Sequence, residues 1–283
     1  AGYDRFLGNR LVDYYCLLPK GFRVLFMKNL IDKIPESFAY KSLAQKARWI
    51  HTMSLFEGGE RYAQSMGFLR FFPSAKEKLF TSSAKQQITD KDSTAKILKF
   101  FNSENAEHLI DRMLYTDLMT RMPDHLLLIV DRMTMAHSLE NRSPLIDYKL
   151  VEFAASIPAT LKLKNNNLKY LLRKVASRYL PQELIHRKKQ GFGFPIGHWM
   201  RTELKGFILS LFKESRFIEL GIFEKEYVDT LCREHLEGKA DHNFRLWILI
   251  NLEIWYRLFF EGQSVATLEI FINGLLADTH KRT

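Results

Sequence analysis

The chain has 283 residues, of which 46% are hydrophobic and 26% charged, a globular composition that excludes a disordered or fibrous protein. Its 42 lysines and arginines exceed its 32 acidic residues, so the formal charge is +10. With two cysteines the sequence predicts no disulfide framework, and without a long apolar run near its start we expect no secretory signal, so we expect a cytoplasmic location.

The basic excess leaves two interpretations open. A positive surface fits an anionic partner such as nucleic acid, a membrane or a phosphorylated substrate, but it also fits a basic surface without a ligand. We prefer the second on composition alone because the lysines are dispersed. Residues 244–260 are the most apolar stretch, yet they are fewer than the ~20 needed to span a bilayer, and charged residues interrupt them. We therefore expect a buried helix there and no membrane as a partner. Because we prefer a basic surface without a ligand, we also expect no nucleic acid as a partner.

Helical periodicity dominates the first hundred residues. Apolar residues recur at helical spacing before Pro19, and the pattern predicts further helices over 22–34 and 42–54. Residues 81–96 are polar, which is typical of a loop or of a solvated helix edge. This segment separates a variable helical part, 1–100, from a motif-bearing helical part, 101–283, of one partial domain.

The second part has a sharper helical pattern. Ser103 is placed to cap a helix with apolar residues at 106, 109, 110, 113, 114 and 118. Further helices are predicted over 125–139, 147–157, 168–180 and 241–261. Because no run of alternating β-branched residues indicates a strand, the chain is predicted to be mostly α-helical.

The helix predicted over 125–139 is apolar nearly all round, which is typical of a buried helix. Asp131, Thr134 and Ser138 nevertheless form a polar stripe along it. A buried carboxylate needs a cation or hydrogen-bond donors. Asp131 therefore has two interpretations, an ion pair with an arginine that fixes packing or a catalytic role.

The segment from Glu140 to Asp147 joins two predicted helices. Pro144 disfavours helical backbone just before it, and Asp147 is placed to cap the next helix. Glu140 and Arg142 could form a surface ion pair of little energetic value. Alternatively, Glu140 could act as a base or orient one.

Residues 187–197, R-K-K-Q-G-F-G-F-P-I-G, run from cations into a glycine-rich loop. Such a backbone can approach an anion closely, but the order of residues matches neither a P-loop nor a dinucleotide-binding loop. Physical chemistry alone favours a plain connecting loop with solvated lysines. Lys169 and Arg173 share a helix face and could bind one anion or form a solvated basic face. No histidine or cysteine spacing indicates a metal site.

Together these motifs resemble one family. Residues 122–147, M-P-D-H-L-L-L-I-V-D-R-M-T-M-A-H-S-L-E-N-R-S-P-L-I-D, are similar to the segment L-P-D-x-L-L-x-K-x-D-R-x-S-M-A-x-S-x-E-x-R-x-P-F-L-D of the glutamine-dependent asparagine synthetases. The resemblance is strong over 117–201, moderate towards the end and weak over 9–103. It implies the C-terminal helical portion of an adenine-nucleotide α-hydrolase-like (PP-loop ATPase) α/β synthetase domain.

The first three residues extend the resemblance. Ala1-Gly2-Tyr3 resembles the end of the family motif G-D-G-x-D-E-L-F-x-G-Y. We therefore expect the acidic part of that motif, the S-G-G-x-D-S pyrophosphate loop and the glutaminase domain to lie upstream as partners in the same polypeptide. We also expect the chain alone to be inactive and to leave open an apolar face that a sheet would cover.

The resemblance implies a reaction. ATP with Mg²⁺ adenylates a carboxylate, with aspartate the first candidate, and ammonia from glutamine then displaces AMP to give an amide. The family loop has the pattern R-x-K, and aligning its arginine with Arg187 places its lysine at Lys189. In the family that lysine lies beside the leaving pyrophosphate, where cations are needed. Glu140 matches the glutamate of a catalytic dyad in relatives that form β-lactams. The resemblance also places Lys169 and Arg173 on the phosphate side of the site. It gives Asp131, Arg142 and Asp147 structural roles.

Some residues depart from the family pattern. Ile129 replaces a basic residue, Ser143 replaces an apolar one, and the loop after Lys189 differs from the acidic-serine form of the best-known members. The family also contains ligases that amidate sugars or close β-lactam rings, so another acceptor is an alternative. A non-catalytic helical binding module that keeps the scaffold is the alternative function, and a homodimer stays open.

Overall fold

The computed structural model describes residues 2–34, 43–67, 71–89, 92–104, 106–187 and 194–280, and most of these residues are helical, as predicted. The chain divides into two compact units. Unit 1 comprises residues 1–29, 49–66 and 92–190, and unit 2 comprises 30–48, 67–91 and 191–283. Two helices, Lys28–Asp32 and Leu43–Met53, contribute residues to both units.

Unit 1 packs its helices around a core that contains Phe6, Tyr62, Phe101 and Met113. Its α-helices are Asp4–Tyr15, Lys20–Phe22, Gly58–Gly67 (the last residue excepted), Ala95–Phe101, Leu109–Met119, Leu128–Met135, Tyr148–Ser156, Ala159–Lys162, Tyr170–Ala176 and Gln182–His186. Two π-helical turns, Arg23–Met27 and Met122–Leu127, and one 3-10 turn, Pro144–Ile146, complete its helical elements among the described residues.

A small hairpin in unit 1 was not predicted. Strands Leu163–Lys164 and Asn167–Leu168 pair antiparallel, with Leu163 opposite Leu168. The two residues between them, Asn165 and Asn166, both have positive φ. Asparagine tolerates that backbone, and two such residues make the tight turn whose twist suits a hairpin. The pair of asparagines was therefore the available sequence signal.

Unit 2 is built around fully buried residues that include Met200, Ile208, Leu211 and Leu246. Its helices are Pro73–Leu79, Ser82–Gln87, Ile196–Arg201, Lys205–Lys213, Arg216–Glu219, Lys225–Leu236, Asn243–Phe259 and Val265–His280. Burying each such apolar side chain stabilises the folded state by roughly 1.5–3 kcal/mol. These buried side chains therefore hold the helices of unit 2 together.

The apolar stretch near residue 250 forms the helix Asn243–Phe259. Leu246, Leu249 and Ile250 lie on its buried face at helical spacing. The buried carboxylate of Glu253 accepts hydrogen bonds from the Ser215 hydroxyl and the Arg216 backbone N–H. It therefore caps the start of the helix Arg216–Glu219. The charge of Glu253 is thus structural. No helix within the described segments has both the length and the apolar character needed to cross a membrane.

Several predicted elements are confirmed with small changes in their bounds. The helices Leu109–Met119, Tyr148–Ser156 and Asn243–Phe259 correspond to predicted ones. The predicted cap of the first helix is wrong, because His108 and not Ser103 is its N-cap. Within the polar segment 81–96, Thr81 caps the exposed helix Ser82–Gln87 through its side-chain oxygen, so a solvated helix was the correct alternative there.

The prediction of a buried helix over 125–139 is wrong. The α-helix Leu128–Met135 is exposed, with Leu128 40% and Met133 61% accessible, and Asp131 is exposed too. Asp131 therefore needs no buried partner. An apolar pattern shows that burying a helix would be favourable, but burial also requires other elements that pack against it. No element among the described residues covers this helix.

Other residues of unit 1 also expose large hydrophobic side chains. They lie along the residues that follow the helix Leu128–Met135, namely Leu139, Leu145, Tyr148, Leu150, Phe153, Leu172, Val175, Tyr179, Leu180 and Leu184. Exposed hydrophobic residues in such number are unusual on the surface of a complete globular domain. This agrees with the open apolar face that the resemblance implies.

Candidate active site

A buried polar network in unit 1 fixes the segment that begins the chain. Arg5 donates to both carboxylate oxygens of Asp117, and its Nε lies 3.2 Å from the Tyr62 hydroxyl oxygen. That hydroxyl lies 2.8 Å from Asp117 Oδ1 and 3.2 Å from the Met113 carbonyl oxygen. Burial raises the pKa of Tyr62, so its phenol stays protonated and can donate. The network ties helix Asp4–Tyr15 to helix Leu109–Met119.

The network also supports Tyr3, which matches the last residue of the acidic family motif. The guanidinium carbons of Arg5 and Arg121 lie 4.5 Å and 4.6 Å from the centre of the Tyr3 ring, both within cation–π range. Just before it, a Cβ added to Gly2 would lie 2.8 Å from Lys169 Cε. The stem of Lys169 therefore lies directly against the Gly2 backbone, and Gly2 leaves it room.

Lys169 and Arg173 were predicted to share one face of a helix, but only Arg173 lies within the helix, and Lys169 is the residue just before it. Lys169 precedes the helix Tyr170–Ala176 with a left-handed backbone, φ 58°, and the Arg173 N–H donates to the Lys169 carbonyl oxygen at 2.9 Å. That backbone costs a non-glycine residue about 1 kcal/mol. Because this turn follows the hairpin, the helix begins later than the predicted 168–180. Lys169 is exposed and Arg173 is half-buried.

Glu140 and Arg142 form an ion pair at 2.7 Å, with 69% and 83% of their side chains exposed. The structure thus has the surface pair that was one of the two alternatives, and it leaves both groups open to solvent and ligands. Asp147 is the predicted N-cap, since its Oδ1 accepts from the N–H groups of Lys149 at 3.0 Å and Leu150 at 3.3 Å.

The glycine-rich segment is described only at its two ends. Arg187 is exposed and follows the helix Gln182–His186. Lys189, the residue given the central role by the resemblance, lies outside the described residues. At the other end, the Phe194 ring packs on Trp199, with 5.9 Å between ring centres, and edge-on against Trp247. Ile196 is buried.

The Arg5–Tyr62–Asp117 network was not predicted from the sequence. A signal for Asp117 was present, because it falls on the same helix face as Ile110 and Met113, and a carboxylate on an apolar face needs a partner. Nothing in the sequence pattern indicated Arg5, whose partner is 112 residues away. Long-range pairs of this kind are decided by tertiary packing.

The described part of unit 1 carries several cationic side chains around its first residues. Lys169 lies against Gly2, and the guanidinium of Arg121 lies over the Tyr3 ring. Arg173 is on the helix that follows Lys169. No group of three histidine, cysteine, aspartate or glutamate side chains in the described segments could hold a metal ion. We derive no step through Mg²⁺.

Comparison with known proteins decides the family. The asparagine synthase family model matches residues 6–257. The chain belongs to the asparagine synthase family. It is 35% identical over 186 residues to asparagine synthetase (glutamine-hydrolysing) 1 of Bacillus subtilis. The aligned residues make up 64% of this chain and 29% of that protein. It is 31% identical over 264 residues to a putative asparagine synthetase (glutamine-hydrolysing) of Mycobacterium bovis, which covers 93% of this chain and 38% of that protein.

The chain thus spans about a third of the length of these curated relatives, since the matches cover 29% and 38% of them. No solved structure matches the chain. The family membership inferred from the motifs is confirmed, whereas the roles of individual residues stay predictions.

Proposed function

We propose that the chain is the C-terminal helical part of a synthetase that adenylates a carboxylate, aspartate first, and converts it to an amide with ammonia from glutamine. The observation that carries this proposal is the packing of Lys169 against Gly2. It brings a cation to the residues that end the family's acidic motif, within a chain whose family match covers residues 6–257.

The proposed reaction has two steps. A carboxylate oxygen attacks the α-phosphorus of ATP, and the bond to the bridging oxygen breaks to release pyrophosphate. Ammonia then attacks the acyl carbon, and AMP leaves with the electron pair of the broken C–O bond. Negative charge grows on the leaving pyrophosphate in the first step, so cations fixed beside it lower the barrier. We assign this role to Lys189, with Arg187, Lys169 and Arg173 on the phosphate side.

Glu140 is the proposed base of the second step. The attacking ammonia must lose a proton as the C–N bond forms, and an exposed carboxylate can accept it. Arg142, 2.7 Å away, would hold the carboxylate in place. In this proposal Asp131 and Asp147 are structural, and Asp147 serves only as the cap of helix Tyr148–Ser156.

The remaining parts of the site belong, in this proposal, to the rest of the polypeptide. The Mg²⁺ ligands, the pyrophosphate loop and the glutaminase would lie there. The exposed apolar surface along helix Leu128–Met135 supports the proposal, because a sheet from the same synthetase domain would cover such a surface. The chain also spans only about a third of its relatives.

The test is pyrophosphate release by the full-length polypeptide that carries this chain. Release should require ATP and a carboxylate, and repeated turnover should also require glutamine or ammonia, with aspartate turned over faster than other carboxylates. Lys189→Ala should lower kcat by ~10²-fold, as expected for a lost transition-state contact. Lys188→Ala removes the same charge one residue away and is the matched control, with kcat within about threefold of the unsubstituted protein. Equal losses in both variants, or no ATP-dependent release with any carboxylate, would contradict the proposal.

A further inference from the structure

A groove in unit 2 runs between the helices Lys205–Lys213 and Lys225–Leu236, outside the residues of the proposed reaction. Its volume is about 670 Å³, within the ~300–1,000 Å³ that is typical of sites for small molecules. A protein helix is about 10–12 Å wide with its side chains and rises ~5.4 Å per turn, so one turn occupies roughly 400–600 Å³. The groove therefore holds one small molecule, but only about one turn of a partner helix.

The floor of this groove is apolar and comes from both helices. The buried side chains of Phe212 and Cys232 line it, together with those of Leu209 and Leu236. Leu209 is 49% exposed, so part of this apolar surface faces water. Burial raises the pKa of the Cys232 thiol to about 12, which keeps the floor uncharged near neutral pH. An apolar chain placed here would be removed from water and would also cover Leu209.

Acidic side chains also line the groove, but most of them already have a cation beside them. They are Glu226, Asp229 and Glu237. Asp229 pairs with Lys225, one turn before it on the same helix, and Glu237 pairs with Lys239 at 2.5 Å. Of the three, only Glu226 forms no ion pair with a described residue, so little of the negative charge in the groove is left unbalanced.

Three cations of the groove have no acidic partner of this kind. Lys205, Lys213 and Arg233 are exposed, and none of them forms an ion pair with a residue in the described segments. Arg233 only contributes to the lowered pKa of Glu237, of which the hydrogen bond from Lys239 is the main cause. We call Lys205, Lys213 and Arg233 the rim cations. Positive charge around an apolar groove attracts an anion, because the apolar walls concentrate its field.

We propose that this groove binds an amphipathic organic anion, a molecule with one apolar chain and one acidic head group. The chain lies on the floor formed by Leu209, Phe212, Cys232 and Leu236, and the head group pairs with one or more of the rim cations. Binding here is independent of the adenylation reaction, because every residue of the groove lies in unit 2 and none has a proposed role in that reaction.

Dodecanoate is the probe, and dodecanol, which has the same chain without the charge, is its control. Both are used below their aggregation limits with the full-length polypeptide that carries this chain, and amide hydrogen exchange reports where they bind. We expect dodecanoate to slow exchange in peptides from the helices Lys205–Lys213 and Lys225–Leu236. Its Kd should be ~10-fold lower than that of dodecanol, the effect expected for one charge-assisted contact.

Two variants test the two parts of the groove. The triple variant Lys205→Ala/Lys213→Ala/Arg233→Ala should raise the Kd of dodecanoate ~10-fold and change that of dodecanol by less than about threefold. Leu209→Asn, which makes part of the floor polar, should raise both Kd values ~10-fold. All the replaced side chains are exposed, so both variants should keep the fold.

The matched control for the triple variant is Lys46→Ala/Lys78→Ala/Lys85→Ala, which removes the same charge elsewhere in unit 2 and should change neither Kd by more than about threefold. Equal Kd values for dodecanoate and dodecanol, or equal losses in the triple variant and its control, would overturn the proposal. Exchange slowed only in peptides of unit 1 would overturn it too. None of these outcomes bears on the proposed function, which pyrophosphate release tests separately.

Discussion

Replacing Asp117 by Asn tests whether the buried network holds the two helices of unit 1 together. Both partners of the Arg5–Asp117 ion pair are nearly buried, with 10% and 12% of their side chains exposed. Asp117→Asn leaves the guanidinium of Arg5 inside the protein without its anion. Removing one partner of a buried pair costs about 3–5 kcal/mol. We expect the lower end, about 3 kcal/mol, because asparagine can still accept from Tyr62 and from one nitrogen of Arg5.

The same substitution seven residues along the chain provides the control. Asp124 is also paired with a cation, Lys96, in the same unit, but 56% of its side chain is exposed. Exposed pairs contribute about 0–1 kcal/mol. Asp124→Asn therefore makes the same chemical change with an expected effect several times smaller, and the difference between the variants measures burial.

Amide hydrogen exchange of the full-length polypeptide is the assay, because it reports on one helix without assuming that the whole protein unfolds in one step. A loss of about 3 kcal/mol should speed exchange in peptides covering helix Leu109–Met119 by ~10²-fold. Asp124→Asn should change it by less than about fivefold. Similar rates in the two variants would refute the argument that burial makes the Arg5–Asp117 pair important.

Three further predictions follow from the described side chains. Burial lowers the pKa of His235 and His242 below the ordinary 6.5, so the unfolded chain binds more protons, and their contribution to the stability of unit 2 should be fully present above pH 6.5 and be lost as the pH drops through the folded-state values. An opening free energy that stays constant from about pH 7.5 to 5, obtained from exchange rates corrected for their intrinsic pH dependence, would contradict this. Burial raises the pKa of Cys232 to about 12, so iodoacetamide should label the partly exposed Cys16 first in the folded protein, as read by peptide mass spectrometry; equal labelling rates would count against the buried thiol. Asp147→Ala should destabilise helix Tyr148–Ser156 by about 1 kcal/mol while Asp147→Asn retains the cap, measured by exchange in that helix, and equal losses would show that the cap is unimportant.

Local rules predicted the local features of this protein. Apolar spacing placed the helices Leu109–Met119 and Asn243–Phe259, and the preference of aspartate for helix starts identified the Asp147 cap. These succeed because helix periodicity and capping depend on residues within one or two turns. The same local rules overlooked the hairpin turn at Asn165 and Asn166, although its signal was present.

Predictions of burial were less successful than predictions of secondary structure. Helix Leu128–Met135 has the composition of a buried helix, yet it is exposed in this chain. Helix Asn243–Phe259 has a similar composition and is buried on one face. The two sequences do not differ in a way that predicts this outcome, because burial depends on which other elements are available to pack against a surface.

The sequence by itself determined the family, the helical character and the order of the motifs, because these follow from residue identity and short-range spacing. Only the tertiary structure joined Arg5 to Asp117, laid Lys169 against Gly2 and brought His235 to Gly197. Each of these contacts joins residues far apart in the chain. Such pairs form where helix packing brings buried polar groups together, since a polar group removed from water must find its hydrogen-bond partners among whatever residues the fold places beside it.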